Sequence, residues 1–433
     1  MTTAEVILWG SRIGAVTLPD GERFASFEYD PGFAGSGIEL APIAMPLGTV
    51  IHRFPALPIE SFHGLPGLLA DSLPDKYGNA LIDAWLATQG RLPGDFNAIE
   101  RLCYTGSRGM GALEFRPNHG PRKETADVVA IDALVKLASE VLVHRAELTV
   151  TFAGDRKADA LREILRVGTS AGGARAKAII AWNPATNEVR SGQVKAPPGF
   201  GYWLMKFDGV ANNKDRDLVD PQGYGAIEFA YSKLAAAAGV AMNPCELFEE
   251  GGRRHFMTKR FDRTDDGDKV HMQSLAALAH LDFNDPRAHS YEQAFVVMRK
   301  LGLPQSDIVQ QFRRMVFNIV ARNQDDHVKN IAFLMNRDGI WRLSPAYDVA
   351  YQYNPSGDWT SQHQMSVNGK RDDFTLADLI ACGRNADLSP REVSAVLAEV
   401  SEAVSQWREI ASDVGVKPSF IADIAANLRL EIK

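Results

Sequence analysis

The stretch NQDDHVKNIAFLMNRDGIWRLSPAYD, from Asn323 to Asp348, constrains the fold of this chain more than any other. It reads as a helix end, then a polar loop carrying Asp325, Asp326, His327, Lys329 and Asn330, then two short apolar strands joined at Asn336-Arg337-Asp338-Gly339, and finally Asp348. Asp and Gly at that tip favour a tight hairpin. Folding the hairpin back brings Asp348 close to the loop that holds Asp325 and Asn330. Two carboxylates and an amide then converge on one point.

Phosphoryl transfer is the chemistry that uses such a set. One Asp orients an attacking hydroxyl and accepts its proton, while an Asn and a second Asp hold Mg²⁺ on nucleotide phosphates. Asn330 follows Asp325 by five positions, the DxxxxN spacing of a protein-kinase catalytic loop, and Asp348 follows a hairpin as the DFG Asp does. The pattern also departs from that template: no HRD precedes it, and Val349-Ala350 stands where Phe-Gly would. DxxxxN alone also fits an ordinary solvated loop.

With 433 residues the chain exceeds one typical domain and is long enough for two or three cores. Its 45% hydrophobic and 23% charged residues are those of an ordinary globular protein, and a formal charge of −7 argues against a globally basic nucleic-acid binder. Cys103, Cys245 and Cys382 lie far apart without CxxC spacing, which disfavours zinc sites and disulfides and fits a reducing cytosol. The start, MTTAEVILWGSRIG, lacks a basic region followed by a long apolar run, and no stretch of about 18 apolar residues occurs. The expectation is a soluble cytoplasmic protein.

Along the chain, VILWGSRIGAVTL and RFASFEYD read as short alternating strands. In the next segment Leu81, Ala84, Trp85 and Leu86 form an apolar helical face that Gly90 ends. GSRGMGALEF, 106–115, looks like a phosphate loop, but no Lys or Ser/Thr follows at useful spacing, so a turn feeding a strand is preferred. The polar run 116–128 reads as a linker. In VGTSAGGARAKAIIAW, 167–182, Gly168, Gly172 and Gly173 let backbone N–H groups approach phosphates, and Ser170 and Lys177 tilt the reading that way; a plain hairpin explains the glycines equally. Lys206 sits among the apolar residues of YWLMKFDG, where its ammonium either reaches an anion or snorkels to the surface. Glu228, on the helix AIEFAYSKLAAAAGV, could pair with such a lysine, but a surface carboxylate is the reading its type favours. HMQSLAALAH opens a helical half, Val309, Phe312, Val316 and Ile319 mark a core-facing helix, and REVSAVLAEVSEAVSQWREIA reads as one final amphipathic helix. A β-rich first half and a helix-rich second half is the order of a two-lobed kinase.

The ordered blocks SAGGARAK, KRFDR, HMQS, NQDDHVKN and LSPAYD resemble the HipA family of serine/threonine kinases, the toxin components of HipBA-type toxin–antitoxin systems. The resemblance runs through most of the chain. It implies an α+β, two-lobed, protein-kinase-like fold. Residues 1–115 would be the small, β-rich N-terminal subdomain with its helix and 116–128 the linker. Residues 129–264 would be the N-lobe part with a Gly-rich phosphate loop, and 265–433 the mostly helical C-lobe with the catalytic loop.

Residue by residue, the resemblance implies Asp325 as the catalytic Asp, and Asn330 and Asp348 as the Mg²⁺ ligands. Lys206 would contact the ATP phosphates as part of the catalytic machinery. Ser170, Gly172, Gly173, Ala174 and Lys177 would form the phosphate loop, with Ser170 its autophosphorylated serine. Phe261 and Asp262 would hold adenine at the hinge, with His327 and Tyr347 near the nucleotide. Three departures stand out: Lys259 in place of an acidic hinge residue, Asp326 in place of a small residue, and Arg175-Ala176 in place of Gln-Glu.

What the resemblance implies is an ATP- and Mg²⁺-dependent kinase toxin acting on an aminoacyl-tRNA synthetase to inhibit translation. Its partner would be a small helix-turn-helix, HipB-like antitoxin, reaching operator DNA only through that partner. A small-molecule kinase and a non-catalytic co-repressor are the competing readings. A phosphate on Ser170 would repel those of ATP, so phospho-Ser170 is expected to be inactive.

Overall fold

A computed structural model describes residues 1–88, 90–120, 128–143, 165, 175–210, 214–215, 218–219 and 222–433. The chain begins with a four-stranded antiparallel sheet ordered β3-β2-β1-β4, from β1 (Thr2–Leu8), β2 (Ser11–Leu18), β3 (Ser26–Tyr29) and β4 (Leu113–Arg116). Leu8 faces Ser11 across a two-residue turn in which Trp9 and Gly10 both have positive φ, 50° and 87°, the twist that suits a tight hairpin. The two longest helices between β3 and β4 are α1 (Lys76–Thr88) and α2 (Ala98–Thr105). GSRGMG is the turn that feeds β4, as its spacing suggests.

The second sheet has five antiparallel strands ordered β8-β9-β7-β5-β6: β5 (Lys177–Asn183), β6 (Glu188–Ser191), β7 (Gly201–Lys206), β8 (Cys245–Glu250) and β9 (Arg253–Lys259). Helix α3 (Ile131–Val143) precedes it, and α4 (Tyr224–Ala237) packs against β8 and β9. Ala178, Ile180, Met205, Phe248 and Met257 of the sheet share one core with Leu81 and Ala84 of α1 and with Ile131, Val135 and Ala138 of α3.

HMQS is a strand rather than part of a helical half. It forms β10 (His271–Ser274) and pairs with β11 (Ala332–Met335), which turns back into β12 (Trp341–Leu343). The hairpin tip is closed by Asn336 Oδ1, which accepts from the N–H groups of Asp338 and Ile340 at 3.1 and 2.9 Å.

The helices of this half are α5 (Leu275–Ala279), α6 (Tyr291–Lys300), α7 (Gln305–Val320), α8 (Leu376–Asn385), α9 (Pro390–Ser405), α10 (Trp407–Asp413) and α11 (Pro418–Asn427). Ile308, Phe312, Met315, Val316 and Ile319 of α7 are buried at the three- and four-residue steps of a core face, while Val309 is only partly buried. Capping boxes start α8 at Thr375 and Asp378, and α9 at Ser389 and Glu392.

The last amphipathic segment is two helices, not one. It bends at Gln406, so that Trp407 can bury its ring against Tyr231 and donate from Nε1 to the Ile421 carbonyl at 3.1 Å. No helix of the described residues is long and apolar enough to cross a membrane.

Candidate active site

The loop after α7 is pinned from two sides. Asn323 bridges to Gln352, and the Gln324 N–H donates to the Gln352 carbonyl at 3.2 Å. Ala346 donates to the Ala241 carbonyl at 2.8 Å, which ties the LSPAYD segment to the turn after α4. Within the loop, Asn330 Nδ2 donates to the Asp325 carbonyl at 2.9 Å, a bond that leaves the amide oxygen available as a ligand. His327 Nε2 lies 3.9 Å from Asp325 Oδ2. Tyr347 donates from its hydroxyl to the Lys329 carbonyl at 2.6 Å, and its ring stands 5.6 Å from that of Phe261.

Asp348 has a left-handed backbone, φ 56°, a conformation Asp tolerates better than most residues. Its carboxylate accepts from Lys206 at the end of β7, and the same ammonium donates to Glu228 Oε1 on α4. Burial raises the Asp348 pKa, but the Lys206 ammonium outweighs it and holds the carboxyl well below its usual range. For Lys206, burial lowers the pKa, and the Asp348 and Glu228 carboxylates more than reverse that. Burial pushes the Glu228 carboxyl up against the pull of Lys206.

Glu228 is therefore a correction to its surface reading. It is 1% exposed, with one oxygen on Lys206 and the other 3.5 Å from the Arg175 guanidinium. Arg175 also lies 4.0 Å over the Tyr224 ring. The anion that Lys206 reaches is a pair of carboxylates.

The other expected residues divide. Ser170, Gly172, Gly173 and Ala174 lie outside the described residues. Lys177 is buried, with its Nζ 2.8 Å from Asp75 Oδ2, so in this structure its ammonium binds a carboxylate of the first subdomain. The Asp262 side chain is turned into an ion cluster. It is wholly buried, bound bidentately by Arg260 at 2.7 and 2.8 Å, by Arg263 at 2.9 Å and by the Gly111 N–H at 2.7 Å. Of the hinge pair, Phe261 alone presents a side chain beside Tyr347. Lys259 pairs with Asp265 at 2.6 Å.

Besides Glu228, two further acidic residues were not assigned to the site from sequence. Asp326, 3% exposed, accepts from the Tyr291 hydroxyl at 2.7 Å, His363 Nδ1 at 2.9 Å and the Gln364 N–H at 2.8 Å. It ties the loop to the segment after Asp348. Asp75 caps α1 through the Gly78 N–H at 2.5 Å while holding Lys177. The only sequence signal for either was its residue type, an Asp beside Asp325 and an Asp at a helix start. Behind the loop, Gln311, Arg314, Asn318 and Asn323 line a cavity of about 30 Å³, room for roughly two waters.

Residues 4–116 match the model of the HipA N-terminal domain, and residues 169–407 that of the HipA-like C-terminal domain. The structure is similar to that of the toxin–antitoxin system of Shewanella oneidensis MR-1, HipA and HipB with operator DNA. That likeness covers 98% of this chain and 95% of the other, with a TM-score of 0.67 and 18% identity, and it establishes the two-lobed HipA fold. Two curated Sinorhizobium fredii proteins, Y4mE and Y4dM, carry the names of candidate kinases. Y4mE is 26% identical over 218 residues, 45% of this chain and 50% of its own. Y4dM is 27% identical over 222 residues, 48% of this chain and 51% of its own. The chain thus spans about half the length of each. With its C-terminal family model covering more than half of its length, the chain belongs to the HipA family.

Proposed function

We propose that this protein is an ATP- and Mg²⁺-dependent serine/threonine protein kinase and the toxin of a type II toxin–antitoxin system. The observation that carries the reading is the Lys206 ammonium, held between Glu228 and Asp348, with Asp348 lining the same cavity as Asn330, whose amide donates to the Asp325 carbonyl. Strand lysine, helix glutamate, catalytic-loop Asp and Asn, and a further Asp behind a hairpin are the parts of a phosphoryl-transfer site. One carboxylate and one amide oxygen are hard donors suited to magnesium, which completes its shell from water and phosphate oxygens. Bound there, the metal would supply charge neutralisation on the transferring phosphoryl group.

In this reading Asp325 orients the acceptor hydroxyl and takes its proton as the oxygen bonds to the γ-phosphorus and the bond to the β–γ bridging oxygen breaks. Lys206 would turn from Asp348 to the phosphates while keeping Glu228, and Asp348 and Asn330 would hold the metal. Phe261 and Tyr347 flank the adenine. His327, beside Asp325, lines the nucleotide side of the loop. The phosphate loop would comprise Ser170 and the glycines after it, and phosphorylation of Ser170 would switch the enzyme off.

A HipB-like antitoxin is the proposed partner, supported by the assembly in which the Shewanella neighbour was solved. An aminoacyl-tRNA synthetase is the proposed substrate, on the family resemblance. Intact-mass spectrometry after incubation with ATP and Mg²⁺ tests the chemistry. A gain of phosphate in wild type that is absent in Asp325→Gln is expected. Absence of phosphate on both self and a synthetase panel, despite nucleotide binding, would overturn it.

A further inference from the structure

Arg322 lies one residue past Ala321, the cap of α7, and has a left-handed backbone, φ 57°. The Asn323 N–H reaches back to the Asn318 carbonyl at 3.0 Å, the wide hydrogen bond that closes such a helix end, and glycine is the residue that fills the left-handed position without strain. A larger side chain stays there where its surroundings over-determine it. Those of Arg322 do. Its Nε donates to the Asn427 carbonyl, at the end of α11, at 2.8 Å, and its Nη1 donates to Gln324 Oε1 at 3.1 Å and stands 3.8 Å from Asp372 Oδ1. The guanidinium carbon lies 4.4 Å over the Tyr353 ring. Asp372 is shared, because Arg429 binds the same oxygen, and the Arg429 N–H donates to the Val320 carbonyl in the last turn of α7 at 2.9 Å.

The guanidinium thus gathers Tyr353 and Asp372 from the stretch after Asp348, Asn427 from α11, and Gln324 from the loop itself. Gln324 is 0% exposed and immediately precedes Asp325. Arg322 holds its side chain, and the Gln352 carbonyl holds its N–H at 3.2 Å, while the Gln352 N–H donates to the Arg322 carbonyl at 3.1 Å. Between the two, Asn323 donates from Nδ2 to Asn318 Oδ1 at 2.9 Å. Each residue from Arg322 to Gln324 is therefore held by both backbone and side chain, and the next residue is Asp325. We propose that Arg322 is a positioning residue for Asp325: with Asp372 as its counter-ion, it locks the loop at the geometry that phosphoryl transfer needs. This rests on the kinase reading above.

The test is single-turnover transfer from labelled ATP with Mg²⁺ by the full chain, to itself, to water or to an aminoacyl-tRNA synthetase, beside calorimetric titration of ATP. Arg322→Gly suits the left-handed backbone and so keeps the fold, but it loses every contact of the guanidinium. It is expected to slow transfer about tenfold or more, the scale of a small misplacement of a reacting group, with ATP affinity unchanged. Asp372→Asn should slow transfer in the same way and by less. Because the two act as one unit, the double variant should fall short of the product of the single effects. A pair with a merely structural role would lower the melting temperature and leave the transfer rate of the folded protein alone. Arg322→Gly with the wild-type rate overturns the proposal, as does a loss confined to ATP affinity, or a double variant that reaches the full product. Absence of transfer to any acceptor by the wild type, although ATP binds, overturns the kinase reading itself, and this proposal with it.

Discussion

Lys206 carries two carboxylates, Glu228 buried and Asp348 partly buried, and the consequences of its removal follow from that geometry. Lys206→Met leaves Glu228, 1% exposed, without its principal cation. Breaking a buried pair from one side costs about 3 kcal/mol, so chemical denaturation should register a loss of that order together with loss of phosphoryl transfer. Arg175, 3.5 Å from the other Glu228 oxygen, limits the damage; Lys206→Met/Arg175→Gln is expected to be worse than the sum of its parts, because the acid then has neither cation. Asp326 supports the loop in another way. Asp326→Asn replaces one acceptor oxygen by an NH₂ group among three donors, from Tyr291, His363 and Gln364. A loss of about 2 kcal/mol and a fall in kcat of about tenfold or more, with KM for ATP little changed, are expected from denaturation and steady-state kinetics. DxxxxN and the second Asp were legible in the sequence because local order carries them. The burial of Glu228 was not, since α4 is apolar nearly all round and its one acid meets a lysine 22 positions back. The ion cluster around Asp262 was not legible either: a hinge position names a neighbourhood and leaves open which way a side chain points.

The segment from Arg260 to Lys269 joins the lobes, and the first subdomain clamps it. Gly109 and Gly111 carbonyls accept from Arg263 at 3.1 and 3.0 Å, and the Ser107 carbonyl accepts from Lys269 at 2.6 Å. Gly111 has φ 72°, and a Cβ there would stand 3.0 Å from the Met272 nitrogen, so glycine is required. The glycines of GSRGMG thus receive an ion cluster instead of a phosphate. Burial raises the Asp262 pKa, yet Arg260 and Arg263 hold it well below the ordinary carboxylate range. A depressed folded pKa means stability present above the unfolded value of roughly 4 and lost as pH falls from there toward the folded value. Acid denaturation should therefore show a stability loss below about pH 4 that is absent in Asp262→Asn, which starts lower because two buried guanidinium groups lose their carboxylate. Elements with local signals, such as the first hairpin, α7 and the catalytic hairpin, were readable from spacing. HMQS was not, because its strand partner β11 lies some 60 residues later, and neither was the bend at Gln406, which depends on where Trp407 finds the Ile421 carbonyl.

At the scale of the whole molecule, the first subdomain belongs to both hydrophobic cores. Its sheet, through Val6, Ile13, Val16 and Phe27, and its segment Leu65 to Ala70 are continuous with Phe312, Val316 and Trp407 of the helical lobe, while α1 fills the core of the five-stranded sheet. The contact is close: a Cβ on Gly67 would sit 2.3 Å from the Ala277 carbonyl oxygen of α5. Polar bonds line the same seam, from Asp71 to the Ser274 N–H and hydroxyl at 2.7 and 2.8 Å and between the Ser61 hydroxyl and Asp282. A subdomain attached as a bead would melt by itself; one shared between two cores cannot leave without exposing both. Differential scanning calorimetry of the full chain is thus expected to give a single transition whose calorimetric and van't Hoff enthalpies agree. Gly67→Val, which forces α5 away from the first subdomain, should lower that transition as a whole. An early peak confined to the first 116 residues in either protein would mean that the seam is an interface between independent domains, and the route by which Asp75 reaches Lys177 would then be open to rupture without unfolding the kinase lobes.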